Sequence, residues 1–265
     1  MGLITQAKRT IPLVWLTVKK SELEGKQKWY ERLALIALSA VLPKGIQVII
    51  VADRGFGDVR QYSFIKDDLG FDFVIRYRQK IYLLHKGQLK ASSTLVPGRG
   101  QVRVIRDTVL TSQRAGPYNV VLLKASQMKD AWCLATSLEV TRGKEIVKIY
   151  SRRFQCEETF RDLKDRRYGY GLRFTKIRNA TRRDRFILVF ALAYITQILM
   201  GVASEGLGLD QSIRANTETR RTHSLFRQGR SLLGNVESVV CRALERFLLK
   251  ILNRLCSKGI LEVFS

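Results

Sequence analysis

Cysteine and histidine are scarce in this chain. Its 265 residues include four cysteines and two histidines. Cys133, Cys156, Cys241 and Cys256 form no CxxC pair and stand at no zinc spacing from a histidine. So long a chain with so few cysteines is not a disulfide scaffold. The four read as reduced, buried thiols of a cytoplasmic protein. His85 and His223 are isolated and read as surface or loop residues, not as metal ligands. The opening residues 1–10 hold no apolar run of the kind that makes a secretory leader.

Acidic residues are the second shortage. Asp and Glu number 23 against 47 Lys and Arg, a formal net charge of +24. Residues 1–52 contain no aspartate at all, and Glu22, Glu24 and Glu31 are their only acids. An excess of cations favours polyanionic partners, because each neutralised phosphate releases condensed counterions. Nucleic acid is the expected partner. A merely basic ribosome-associated protein and an anionic membrane surface rank below it.

Apolar residues are plentiful, at 46%, so a real core is expected. The longest apolar run, residues 186–200 (FILVFALAYITQILM), is short for a membrane span and contains Thr196 and Gln197. It reads as a buried core helix. Residues 11–18 (IPLVWLTV) read as a buried strand. Residues 26–41 have helical periodicity and stop before Pro43. Residues 46–52 (IQVIIVA) are continuously apolar and β-branched, as in a central strand, and end in Asp53-Arg54-Gly55. A helix to Leu69 and a strand at 71–76 follow. Short alternating runs broken by Gly and Pro between 78 and 130 read as hairpins. A strand at 132–137, a long helix at 142–165, a second helix at 181–204, a polar linker at 211–230 and a tail helix at 236–255 complete the pattern. This order predicts an α/β sheet with helices on both faces.

Two places carry chemistry. Asp53 closes an apolar strand, and open α/β sheets bind ligands at that edge. A bland Asp there caps a helix or makes a turn. On a continuous helix at 100° per residue, Tyr150, Arg153, Glu157 and Lys164 fall within about 60° of one another. Ile149, Cys156, Phe160 and Leu163 form the expected core face beside them. Ser151, Gln155, Glu158, Thr159 and Asp162 point to water. A surface salt-bridge ladder explains Arg153 and Glu157 equally well, at a few tenths of a kcal/mol.

The arrangement Tyr150-x2-Arg153-x3-Glu157-x6-Lys164, within IYSRRFQCEETFRDLKD, resembles the Y-R-E-K signature of the insertion-sequence-four family of bacterial DDE transposases. VIIVADRGFGD resembles that family's block around its second acidic residue, and WCLATSL its strand before the acidic helix. The resemblance covers roughly residues 5–205. It implies a ribonuclease-H-like mixed sheet flanked by helices, with a β-rich insertion before the last acidic helix. The implied segments are 1–77 (a partial core without its first strand), 78–130 (the insertion), 131–205 (the rest of the core with the acidic helix) and 206–265 (a helical tail).

It also implies an activity: DNA strand cleavage and strand transfer. Asp53 and Glu157 would be catalytic residues and ligands of Mg²⁺ or Mn²⁺, in a two-metal site if complete. Tyr150, Arg153 and Lys164 would contact DNA phosphates. Two metals neutralise charge on the reacting phosphate and supply the oxygen nucleophile, and carboxylates suit such hard cations. The implied setting is a dimer on DNA in the bacterial cytoplasm, near the nucleoid, with no membrane and no small-molecule cofactor. The pattern departs from the family where its first aspartate belongs. A truncated copy that cleaves poorly is therefore expected. The alternatives are a non-enzymatic DNA-binding fragment that inhibits an intact transposase, a nuclease without a joining step, and an RNA-binding protein.

Overall fold

The computed structural model describes all residues except 112–114, 168, 214–216, 219, 235–248 and 250–265. The expected tail helix at 236–255 lies outside the described residues apart from Leu249. The chain forms two compact units, Gln27–Phe154 and Met1–Lys26 with Gln155–Ser265.

The unit Gln27–Phe154 is built on a seven-stranded sheet. Its elements are α2 (Gln27–Val41), β3 (Ile49–Ala52), α3 (Val59–Ser63) with a π-helical turn at Phe64–Asp68, β4 (Asp72–Tyr77), β5 (Tyr82–His85), β6 (Gln88–Ala91), β7 (Val102–Leu110), β8 (Ala115–Leu123), β9 (Trp132–Thr136) and α4 (Gly143–Ser151). The strand order is β3-β4-β9-β8-β7-β5-β6. β3 and β4 run parallel and the other pairs antiparallel, so the sheet is mixed. The hairpins read from residues 78–130 are thus strands of the same sheet. Among the described residues β3 pairs with β4 alone and forms one edge.

Both faces are covered. On one, Val74, Val121 and Leu134 pack under Ile146 and Tyr150 of α4. Gly143 makes this approach possible, since a Cβ there would meet the Val102 side chain at 2.6 Å. On the other face, Tyr62 of α3 stacks on Phe73 at 4.9 Å, and Tyr118 meets both rings edge-on.

The unit that contains both chain ends has a small ribbon, β1 (Gly2–Ile4) against β2 (Thr10–Pro12), a short α1 (Lys20–Leu23), and helices α5 (Gln155–Lys164), α6 (Ala180–Gly206) and α7 (Leu225–Gly234). The strand expected at 11–18 ends at Pro12, which has no N–H to donate to a ladder. Beyond it, Trp15 and Thr17 bond instead to Asp184 of α6. Thr159 of α5 is buried and exchanges hydrogen bonds with the Thr10 backbone, at 2.9 and 3.0 Å. The polar linker expected at 211–230 gives way to α7 from Leu225 on. Leu225 and Phe226 join Leu163, Phe190, Tyr194 and Ile198 in the core. α6 and α7 touch backbone to backbone: a Cβ at Gly201 would sit 2.0 Å from the Leu225 carbonyl oxygen, and one at Gly229 1.8 Å from that of Gln197.

The long helix expected at 142–165 is two helices. A 3₁₀ turn at Arg152–Phe154 separates α4 from α5. α5 buries Thr159 and Leu163 with Asp162 beside them, whereas Phe160, expected in the core, is 53% exposed.

α6 is long and apolar enough to cross a membrane by length and composition. Here Phe190, Tyr194, Gln197 and Ile198 bury one of its faces in the core. Leu188, Val189 and Leu192 remain exposed on the other.

Candidate functional site

The carboxyl edge of β3 and β4 gathers the chemistry of its unit. The two strands are in register from Ile49 opposite Asp72 to Ala52 opposite Ile75. The next step brings Asp53 beside Arg76. Side chains alternate along a strand, and Val51 and Val74 lie on the α4 face. Asp53 and Arg76, two residues further on, belong to that same face.

Asp53 is exposed, and its Oδ1 accepts the Gly55 N–H at 2.9 Å. The turn that follows is fixed from two sides. Lys28 of α2 donates to the Gly55 carbonyl at 2.6 Å. Gly57 lies against β4, where a Cβ would stand 3.2 Å from the Arg76 carbonyl oxygen. Asp58 then caps α3 by accepting the Arg60 N–H.

Tyr150 reaches this edge from α4. It is 1% exposed, and its ring meets Trp132 edge-on at 4.7 Å. Burial pushes its hydroxyl above the ordinary phenol range. Arg153, which hydrogen-bonds the hydroxyl, and Arg76 pull the other way, while Asp53 adds to the rise. The Arg153 guanidinium stands 5.9 Å from the Tyr150 ring centroid and 4.6 Å from that of Phe154, which itself stacks on Trp132.

The sequence alone does not single out Arg76, because FDFVIR reads as a plain strand. Its side chain is half-buried, its Nε is buried without an acceptor, and it makes no ion pair among the described residues. Its charge is felt by Cys133 behind it, whose thiol burial nevertheless pushes up to about 12. The available signal was a cation on the α4-facing side of an otherwise apolar strand that ends next to Asp53.

The structure brings Asp53, Tyr150 and Arg153 together, with Arg76. Glu157 and Lys164 belong to the other unit. Both are exposed on α5, and the Lys164 ammonium lies 5.0 Å from the Phe160 ring centroid. Glu158 is half-buried and pairs with Arg161 at 3.0 Å.

For a divalent cation this edge offers the carboxylate of Asp53. No group of three or more His, Cys, Asp or Glu suited to a metal occurs among the described residues. Tyr150 at this edge feels the charges of Arg153 and Arg76 as well as that of Asp53. Such a set holds an anion: guanidinium forks match phosphate oxygens.

A mixed α/β sheet flanked by helices, with an acidic residue where a parallel pair ends, is the ribonuclease-H-like class of fold. The profile of the family described as transposase DDE domain matches residues 32–195, from α2 into α6. The chain belongs to that family. No curated protein matches it.

Proposed function

We propose that this chain is the DNA-handling catalytic domain of an insertion-sequence-four transposase, in a form that binds DNA but cleaves it poorly. Arg76 and Arg153 hold a phosphate of the DNA end beside Asp53, and Tyr150 orients Arg153 through its hydroxyl. The observation that carries this reading is Arg76, at the carboxyl end of β4, whose buried Nε has no acceptor among the described residues. An unsatisfied buried donor costs about 1–3 kcal/mol, which an arriving phosphate oxygen would remove. Phosphate contacts fix the position of DNA without reading its sequence.

In this reading Asp53 and Glu157 are the second and third carboxylates of a Mg²⁺ or Mn²⁺ site, and Lys164 is a point charge on the DNA. Residues 78–130 are the insertion within the core. The first carboxylate has no source in residues 1–52, which lack aspartate. A relative with all three carboxylates would cut DNA and join the 3′-hydroxyl to a target, as a dimer in the bacterial cytoplasm. The net charge of +24 favours the second reading as well: a DNA-binding fragment that joins, and thereby inhibits, an intact transposase.

A supercoiled-plasmid assay in Mg²⁺ or Mn²⁺ tests this. Nicking is expected at background level, while the chain binds duplex DNA. Robust nicking abolished by Asp53→Ala would overturn the poor-cleavage claim. Failure to bind DNA at all would overturn the whole reading.

A further inference from the structure

The unit built on α6 carries a cationic surface of its own. The loop between α5 and α6 is tightly held. Tyr170 donates to Gln197 Oε1 at 2.8 Å, and its ring packs on Phe190 at 5.0 Å and Phe226 at 5.9 Å. The Tyr170 and Gly171 N–H groups donate to the Asp162 and Asp165 carbonyls. Gly169 lies so close to α5 that a Cβ would overlap the Asp162 carbonyl oxygen, at 1.8 Å, and its own carbonyl accepts from Arg230 at 2.6 Å. Further on, Asn179 caps α6 through the Arg182 N–H, and the Arg183 guanidinium donates to the Ile177 carbonyl at 2.7 Å.

From this fixed backbone project Arg166, Arg173, Lys176, Arg178, Arg182 and Arg185, all exposed. The Arg166 guanidinium lies 5.2 Å from the ring centroid of Phe174, which is 57% exposed. The one carboxylate between 166 and 185, Asp184, accepts the Thr17 backbone N–H. None of the six cations forms an ion pair among the described residues. Like charges fixed side by side repel, and a partner of opposite charge relieves that repulsion.

We infer that this loop and the first turns of α6 form a track for the backbone of duplex DNA, made of residues of this unit alone. The inference rests on the proposed function for its choice of polyanion. Its own content is the location, and the sequence-independent, salt-sensitive character of the contact.

The test measures binding of a labelled duplex of random sequence to the full chain over a range of KCl concentrations, without divalent metal. The variant carries Arg173→Gln, Arg178→Gln and Arg182→Gln. A control carries Lys80→Gln, Lys86→Gln and Lys90→Gln, the same loss of charge on β5–β6 and the turn before it. Each lost phosphate contact lowers the slope of log affinity against log salt by about one. The loop variant should lose about three units of slope and the control less than one. The charge-keeping variant Arg173→Lys, Arg178→Lys and Arg182→Lys should bind like wild type, which separates lost charge from lost folding. A loop variant with the wild-type slope, or a control that loses as much, overturns the inference and leaves the proposed function standing. Wild type that ignores duplex DNA overturns both. Because Leu188, Val189 and Leu192 follow the cations along α6, anionic phospholipid vesicles are a second probe. Capture by vesicles that duplex DNA cannot reverse would also overturn it.

Discussion

Arg9 and Arg76 are the same residue type in two different electrical situations. Arg9 lies in the unit that contains both chain ends. Its side chain is 12% exposed, and its Nε stands 2.7 Å from Asp162 Oδ2, with Glu158 at 3.8 Å. Tyr194 donates to the same Asp162 oxygen at 2.7 Å, and Thr159 closes the network onto the β2 backbone. Arg76, half-buried at the sheet edge of the other unit, has no carboxylate partner among the described residues, and its Nε is idle among them. A neutralised buried arginine fastens a fold. An arginine left without an acceptor is fit to receive a ligand.

The largest effect separating the two follows from Asp162→Ala. It strands the buried Arg9 charge and removes the Tyr194 acceptor. Breaking one partner of a buried pair costs about 3–5 kcal/mol, to be read in a urea or thermal unfolding curve. A loss below about 1 kcal/mol would place Arg9 in the surface class of ion pairs and dissolve the contrast. Arg76→Met should act the other way. It removes an unsatisfied donor, so stability should hold or rise by about 1 kcal/mol. DNA affinity should fall about tenfold, the worth of one charge-assisted contact. A large loss of stability with unchanged DNA affinity would make Arg76 a structural residue.

The sequence displays this contrast only in part. The strand at 132–137 was legible because burial on both faces demands continuous apolar residues, and the apolar run before Asp53 and the helix around 186–200 were legible from their length and composition. The break at Arg152–Phe154 was not. RRFQ contains neither Gly nor Pro, and a switch from α to 3₁₀ geometry needs neither. Thr159 and Asp162, which read as wet, lie on the buried side of α5. Asp162 misled for a reason of its own. The partner that makes its burial tolerable, Arg9, stands 153 positions away in sequence. Asp53 was legible as a strand-end acid, whereas Arg76 was hidden within a run that reads as pure strand. Its meaning appears only when the parallel register, which ends at Ala52 opposite Ile75, sets the ends of the two strands side by side.

The smallest effect sharpens the comparison within β4 itself. Asp72 begins the strand that Arg76 nearly ends. Burial raises the Asp72 carboxyl, but hydrogen bonds from Lys66, Ser137 and Gln47 and the Lys66 charge outweigh it, and the group titrates below its usual range. Lys66 Nζ and Ser137 Oγ each lie 2.8 Å from Asp72 Oδ1. A carboxyl depressed in the folded state contributes stability that is present above its unfolded pKa, about 4, and lost as pH falls through the lower folded value. Lys66 is 43% exposed, so solvent screens the pair and its worth is a few tenths of a kcal/mol. Asp72→Asn should therefore lower the urea midpoint slightly at pH 7, and the gap from wild type should close as pH falls below about 4. A gap that persists unchanged into acid would mean that hydrogen bonding, not charge, holds this end of the strand. The two ends of β4 would then differ in geometry rather than in electrical balance.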